Sequence, residues 1–141
     1  MRITRRHLAA LVPALAAAQT KEAKKRSQLP SQCYKYEDLA VKKNGVNESR
    51  DVFDGLNRSD FQLDIHITNL GPGMAPHAPH HHIHEEIMML RTGELDVTID
   101  GKTTRVTAGS VVFVHSNEEH GWKNPGPGRA EYFVMAVGRD V

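Results

Sequence analysis

Cysteine is almost absent: Cys33 is the single copy in 141 residues, so the chain can form neither an intramolecular disulfide nor a thiolate metal cluster. Charge of one sign is also missing. Eighteen Lys and Arg stand against 17 Asp and Glu, which leaves no basic excess to neutralise a phosphate backbone and argues against a nucleic-acid partner. No apolar run approaches the roughly 20 residues needed to span a bilayer. What remains, 39% hydrophobic and 25% charged residues, is the composition of a soluble globular chain. Its length suits one domain around one core.

Residues 1–18 have a separate purpose. Arg2, Arg5 and Arg6 precede a short apolar stretch from Leu8, and small residues at Ala16 and Ala18 end it. This is the layout of an export signal with an Ala-x-Ala cleavage site, and Thr4-Arg5-Arg6-His7-Leu8 resembles a twin-arginine signal. The expectation is an exported, periplasmic protein that starts at Gln19 and has no stable membrane insertion after cleavage. Loss of the three arginines would leave 15 basic against 17 acidic residues. Residues 19–59 read as an N-terminal extension with possible strands, opened by the solvated charge run Lys21 to Arg26.

From residue 60 the pattern is that of strands. Phe61, Leu63, Ile65 and Ile67 alternate with Gln62, Asp64 and His66, a period of two that predicts a half-buried strand. Ile87 to Leu90 form a short apolar run, and Leu95, Val97 and Ile99 alternate again before Asp100-Gly101, a pair suited to a tight hairpin. Further runs at 103–107, 111–114 and 132–137 are separated by turn residues. Short strands at near-regular spacing, with no amphipathic helix between them, predict an all-β sandwich or barrel.

Histidine is the residue in excess, with nine copies, five of them between His77 and His84. His80 and His82 are two apart and project to one face of an extended chain. Glu86 returns at the same parity. Two imidazoles and a carboxylate suit Fe, Mn, Zn, Ni or Cu better than Mg or Ca. The same tract also fits a surface loop that binds metals loosely, and its own residues leave both readings open.

The second half supplies a matching pattern: Gly109, five residues, His115, one residue, Asn117, two residues, His120, three residues, Asn124. With His80, His82, Glu86 and Gly93, the chain now resembles the cupin superfamily, whose motifs run G-x5-H-x-H-x3/4-E-x6-G and G-x5-P-x-G-x2-H-x3-N. The resemblance covers about residues 60–137. It departs at Gly73, one place early, and at His115 and Asn117, which stand for the usual proline and glycine. Asn tolerates a left-handed turn, whereas His115 puts a titratable group near the expected pocket mouth.

The resemblance implies an all-β antiparallel jelly-roll barrel over residues 60–141, with a divalent transition metal (Fe, Mn, Ni or Zn) held by His80, His82, Glu86 and His120. His81 and His84 are expected beside the ligands rather than among them, and His77 and the outward-facing His66 are set aside. Met88 and Leu90 are expected in the core, and Trp122 either there or in a pocket wall. Three imidazoles and one carboxylate would leave a net positive centre that favours an anionic, chelating small molecule.

Two open positions on such an ion would permit attack by O2 on a bidentate substrate, or Lewis-acid work alone. The most concrete expectation is a metal-dependent dioxygenase of flavonol or diketone type with Glu86 as its base. A non-catalytic sugar- or metabolite-binding cupin and a metal-dependent isomerase are the alternatives. Small single-barrel cupins also imply a homodimer.

Overall fold

Alternating Val, Ile, Thr and aromatic residues separated by turn residues build nine antiparallel strands in the computed structural model, which describes residues 26–138. In chain order they are β1 Lys42–Asn44, β2 Asn47–Leu56, β3 Gln62–Leu70, β4 Glu85–Thr92, β5 Glu94–Ile99, β6 Lys102–Thr107, β7 Val111–Val114, β8 His120–Lys123 and β9 Ala130–Gly138. They form a six-stranded sheet in the order β1-β2-β3-β9-β4-β7 and a three-stranded sheet in the order β6-β5-β8. The expected all-β fold is therefore present. The expected export signal, residues 1–18, lies outside the described residues.

Local chemistry explains the turns. Asp100 and Gly101 join β5 to β6 with φ of 45° and 76°, the two positive values that a two-residue hairpin needs. Asn117 takes φ 64°, the left-handed conformation anticipated for it. Asn124 pins the 124–128 turn to the end of β3. Its Nδ2 donates to the carbonyls of Leu70 (3.3 Å), Gly71 (3.0 Å) and Gly128 (2.8 Å), and its Oδ1 accepts from the Gly126 N–H at 3.0 Å.

Directly paired residues of antiparallel strands share a face, so the register sorts the six-stranded sheet into an inside and an outside. Glu86 pairs with Ala136, which pairs with Asp64; Met88 pairs with Val134 and then His66; Leu90 pairs with Tyr132 and then Thr68. Met88, Leu90, Tyr132 and Val134 are almost wholly buried with Val112 and Val114 of the neighbouring β7 and with Leu95, Val97 and Trp122 of the facing sheet. Met88 and Leu90 are thus core residues.

The same register corrects the reading of β3. Its alternation is real, but the apolar row Leu63, Ile65 and Ile67 pairs with Val137, Met135 and Phe133 on the outer face, while Asp64, His66 and Thr68 share the inner face with Val134 and Tyr132. His66 is consequently turned inward, not outward. Period two says that two faces differ and not which one meets the core.

Residues 27–29 pair with β2 through Leu29 N–H to Leu56 O (2.8 Å) and Leu56 N–H to Ser27 O (2.9 Å). The chain then makes a single 3-10 turn at Tyr36–Asp38. There the Tyr36 hydroxyl donates to Glu131 Oε2 at 2.7 Å, and its ring lies under the guanidiniums of Arg50 (4.5 Å) and Arg91 (5.1 Å). Arg91 and Asn69 also donate to the Glu131 carboxylate, at 2.8 and 3.2 Å.

Burial alone would raise the Glu131 pKa, but the bonds from Tyr36 and Asn69 and the charges of Arg91 and Arg50 outweigh it and hold the carboxyl below its ordinary value. A carboxyl depressed by folding contributes stability above its unfolded pKa and loses it as pH falls through the folded value. Glu131→Gln is therefore expected to cost about 1–2 kcal/mol near neutral pH. That difference should shrink in urea titrations repeated below about pH 4, and a penalty that stays constant with pH would refute the charged clamp.

Candidate metal centre

His80 stands outside the named strands, yet its N–H donates to His120 O (3.0 Å) and its carbonyl oxygen accepts from the His120 N–H in return (2.8 Å). This reciprocal pair adds the His80 segment to the edge of β8. The turn at Asn117 steadies it one residue pair further on, donating its N–H to His82 O at 2.7 Å. Glu86 comes from the facing sheet, on the inner face of β4. The site therefore lies between the two sheets, with histidines from one side and a carboxylate from the other.

All four residues singled out in the sequence come together. The ring centroids of His80, His82 and His120 are 4.7 to 5.1 Å apart, and each ring offers a nitrogen within 4.8 Å of the other two. Glu86 Oε1 lies 3.1 Å from His82 Nε2 and Oε2 lies 3.4 Å from His120 Nε2. His120 and Glu86 are 1% and 8% exposed, so water contributes little to their solvation.

Two backbone carbonyls fix which nitrogen faces inward. His82 Nδ1 is 2.9 Å from His84 O, and His120 Nδ1 is 2.9 Å from Glu118 O. A carbonyl accepts only from N–H, so in the neutral imidazole the proton sits on Nδ1 and the lone pair on Nε2. Burial, followed by the neighbouring His77, His120 and His82, pushes the His80 pKa down against the opposing pull of Glu86. That favours the neutral form a ligand needs.

In these tautomers the Nε2 lone pairs of neutral His82 and His120 face the Glu86 carboxylate. His80 Nδ1, His82 Nε2, Glu86 Oε2 and His120 Nε2 are all buried without a hydrogen-bond partner, an arrangement that costs free energy unless a cation or a proton lies between them. This donor set fits a transition metal.

His84 sits closer than the sequence reading placed it. Its ring stacks on His82 (centroids 3.5 Å apart, planes at 11°), its Nε2 is 3.6 Å from Glu86 Oε1, and with His82 and Glu86 it makes a second group of donor atoms within 4.8 Å. The signal was present in the shared parity of residues 80, 82 and 84. His81 is exposed, and His77 packs edge-on against His80 at 4.4 Å from an exposed loop position. His115 is exposed, with Nδ1 3.6 Å from Glu85 Oε1, so it marks no inner wall. Trp122 is buried between His120 (5.7 Å) and Tyr132 (5.8 Å), and the same burial pushes the Tyr132 hydroxyl pKa far up.

A double-sheet antiparallel barrel with a His and Glu cluster between its layers defines a class of small metal-site barrels. The family model described as the cupin domain matches residues 66–136, and the chain belongs to that family. No curated protein matches it. Among solved structures it is similar to an RmlC-like cupin from Shewanella frigidimarina, with TM-score 0.63 and 21% identity over 77% of this chain and 92% of that one. KdgF from Halomonas sp. aligns with TM-score 0.66 and 16% identity over 79% and 97% of the two chains. A predicted oxalate decarboxylase from Thermotoga maritima aligns with TM-score 0.65 and 18% identity over 76% and 99%. At these identities the likeness is one of fold.

Proposed function

We propose that the protein is a metal-dependent cupin acting on a small organic molecule, in its most concrete form a dioxygenase of flavonol or diketone type. One observation carries the metal: His80, His82 and His120 offer donor atoms close together, Glu86 reaches His82 and His120, and each of the four residues holds a buried side-chain atom without a hydrogen-bond partner. Bound there, a divalent ion such as Fe, Mn, Ni or Zn would supply Lewis acidity toward an anionic, chelating substrate.

The chain's own groups do the rest. The Nδ1 bonds of His82 and His120 hold their Nε2 lone pairs inward, and Val114 and Val134, each 1% exposed, keep water from the Glu86 side. Glu86 is the base of this reading, its carboxylate accepting the proton of a substrate hydroxyl. Export is retained in the proposal, so the form to test begins at Gln19.

That form, purified without oxygen or an added His tag, is expected to hold about one equivalent of transition metal, which His82→Ala and His120→Ala lose. Oxygen uptake with flavonols, diketones or catechols would support the dioxygenase form. Metal without uptake on any of them would sink it and favour the non-catalytic binding cupin, while turnover without oxygen would favour the isomerase.

We also propose a homodimer formed through the outer face of the six-stranded sheet, where Met89, Val111 and Phe113 are 40%, 58% and 47% exposed. Exposed apolar side chains grouped on one sheet face are costly to leave in water. Light scattering should give twice the chain mass, and a mass near one chain would refute the pairing.

A further inference from the structure

The inner surface around the centre changes character from one side to the other. Toward β2 and β3 it is polar, where Asp51, Asp54, Asp64 and His66 border a 450 Å3 cavity. Toward β7 it is apolar. There the two sheets end in β7 and β6, and a larger cavity of 540 Å3 opens between these two end strands.

Its walls are mainly aliphatic, with Val97, Ile99, Val106, Val111 and Val112, and they also carry Thr104 and the charged Asp100, Lys102 and Glu118. Val97 and Val112 belong to the buried core, whereas Ile99 and Val106 are only partly buried. Inward-facing aliphatic side chains are thus left incompletely covered along this seam. A volume of this order suits a small-molecule pocket.

The seam adjoins the proposed metal centre through the strand register. Ile99 pairs with His120, Val114 pairs with Glu86, and Val112 pairs with Met88, two residues from Glu86 on the same face. A molecule chelating at the centre therefore has the carboxylate-lined cavity on one flank and, beyond Ile99 and Val112, a mainly aliphatic slot on the other.

We propose that the β6–β7 seam holds the apolar, aryl-sized end of a substrate whose two oxygens chelate at the centre formed by His80, His82, Glu86 and His120. This rests on the metal-centre reading above and adds the substrate class: an aryl-bearing oxygen chelator rather than a sugar or a small aliphatic acid. Transferring a phenyl ring from water to an aliphatic slot favours it over a methyl by about 10- to 100-fold in affinity.

The test compares benzohydroxamate with acetohydroxamate, which share a chelating head and differ in phenyl against methyl. Calorimetry on the zinc-loaded chain from Gln19 should show the aryl probe bound at least about 10-fold more tightly. Thr104→Trp, at an exposed position of β6 that lines the seam, should reduce that ratio to near unity while leaving zinc content and acetohydroxamate affinity unchanged. Val106→Gln should lower it in the same direction.

An equal ratio in the unaltered chain and Thr104→Trp, or no preference in the unaltered chain, overturns the seam proposal and leaves the metal centre standing. Absence of stoichiometric zinc from the unaltered chain overturns the centre itself and the seam proposal with it.

Discussion

His120→Ala is expected to lower metal affinity by at least about 100-fold and to remove the dependence of thermal stability on chelator. A buried ligand contributes more than its own bond, because it also orders the donors around it. His120 would be such a ligand by position. It is 1% exposed, its Nδ1 is held by Glu118 O, its Nε2 is 3.4 Å from Glu86 Oε2, and its backbone holds the His80 segment to β8.

Binding to the folded form alone raises stability by RT ln(1 + [L]/Kd), about 4 kcal/mol when free metal is 1,000 times Kd. The unaltered chain should accordingly melt several degrees lower in a strong chelator, and His120→Ala should melt at one temperature with or without it. Calorimetric scans of both proteins decide the matter. A variant that keeps one equivalent of metal, or an unaltered chain indifferent to chelator, would reduce the histidine tract to a loose surface binder.

The fold was legible where the signal is local. Asp100-Gly101 announces its hairpin because few residue pairs accept two positive φ values, and the observed angles of 45° and 76° agree. His80, His82 and Glu86 share parity, and an extended chain turns parity into proximity. The approach of His120 to them rests on pairing between distant segments and on the packing of one sheet against the other, which no window of the sequence encodes; only the spacing of two motifs suggested it. What stayed hidden is of the same kind. The inward turn of His66, the outer placement of Ile65 and the clamp of Tyr36 on Glu131, 95 residues away, follow from register between distant strands. The stacking of His84 on His82 depends on how the chain bends before β4, where parity gives only a first indication.

Gly93→Ala is expected to unfold much of the protein, whereas Gly109→Ala leaves it folded. Gly93 ends one motif and Gly109 begins the other, and both have positive φ, 80° and 90°, so each substitution pays a left-handed penalty of about 1–2 kcal/mol. The difference lies in the space around them. A Cβ on Gly109 meets nothing within 4 Å, but one on Gly93 would stand 2.6 Å from Arg129 O and 2.9 Å from Ala130 Cα.

Those atoms are backbone at the start of β9, which β4 hydrogen-bonds and the buried Ala130 anchors, so no side-chain rotation relieves the overlap. Forcing β9 away from the link between β4 and β5 would part β9 from β4 within the six-stranded sheet where the core begins, at a further cost of about 2–4 kcal/mol. Together these costs reach the lower end of the stability of a domain this size, about 5–15 kcal/mol. Urea titrations followed by circular dichroism should then show Gly109→Ala shifted modestly and Gly93→Ala with little or no folded baseline. Equal midpoints for the two variants would mean that the strands part at no cost, contrary to the close packing of Gly93 on β9.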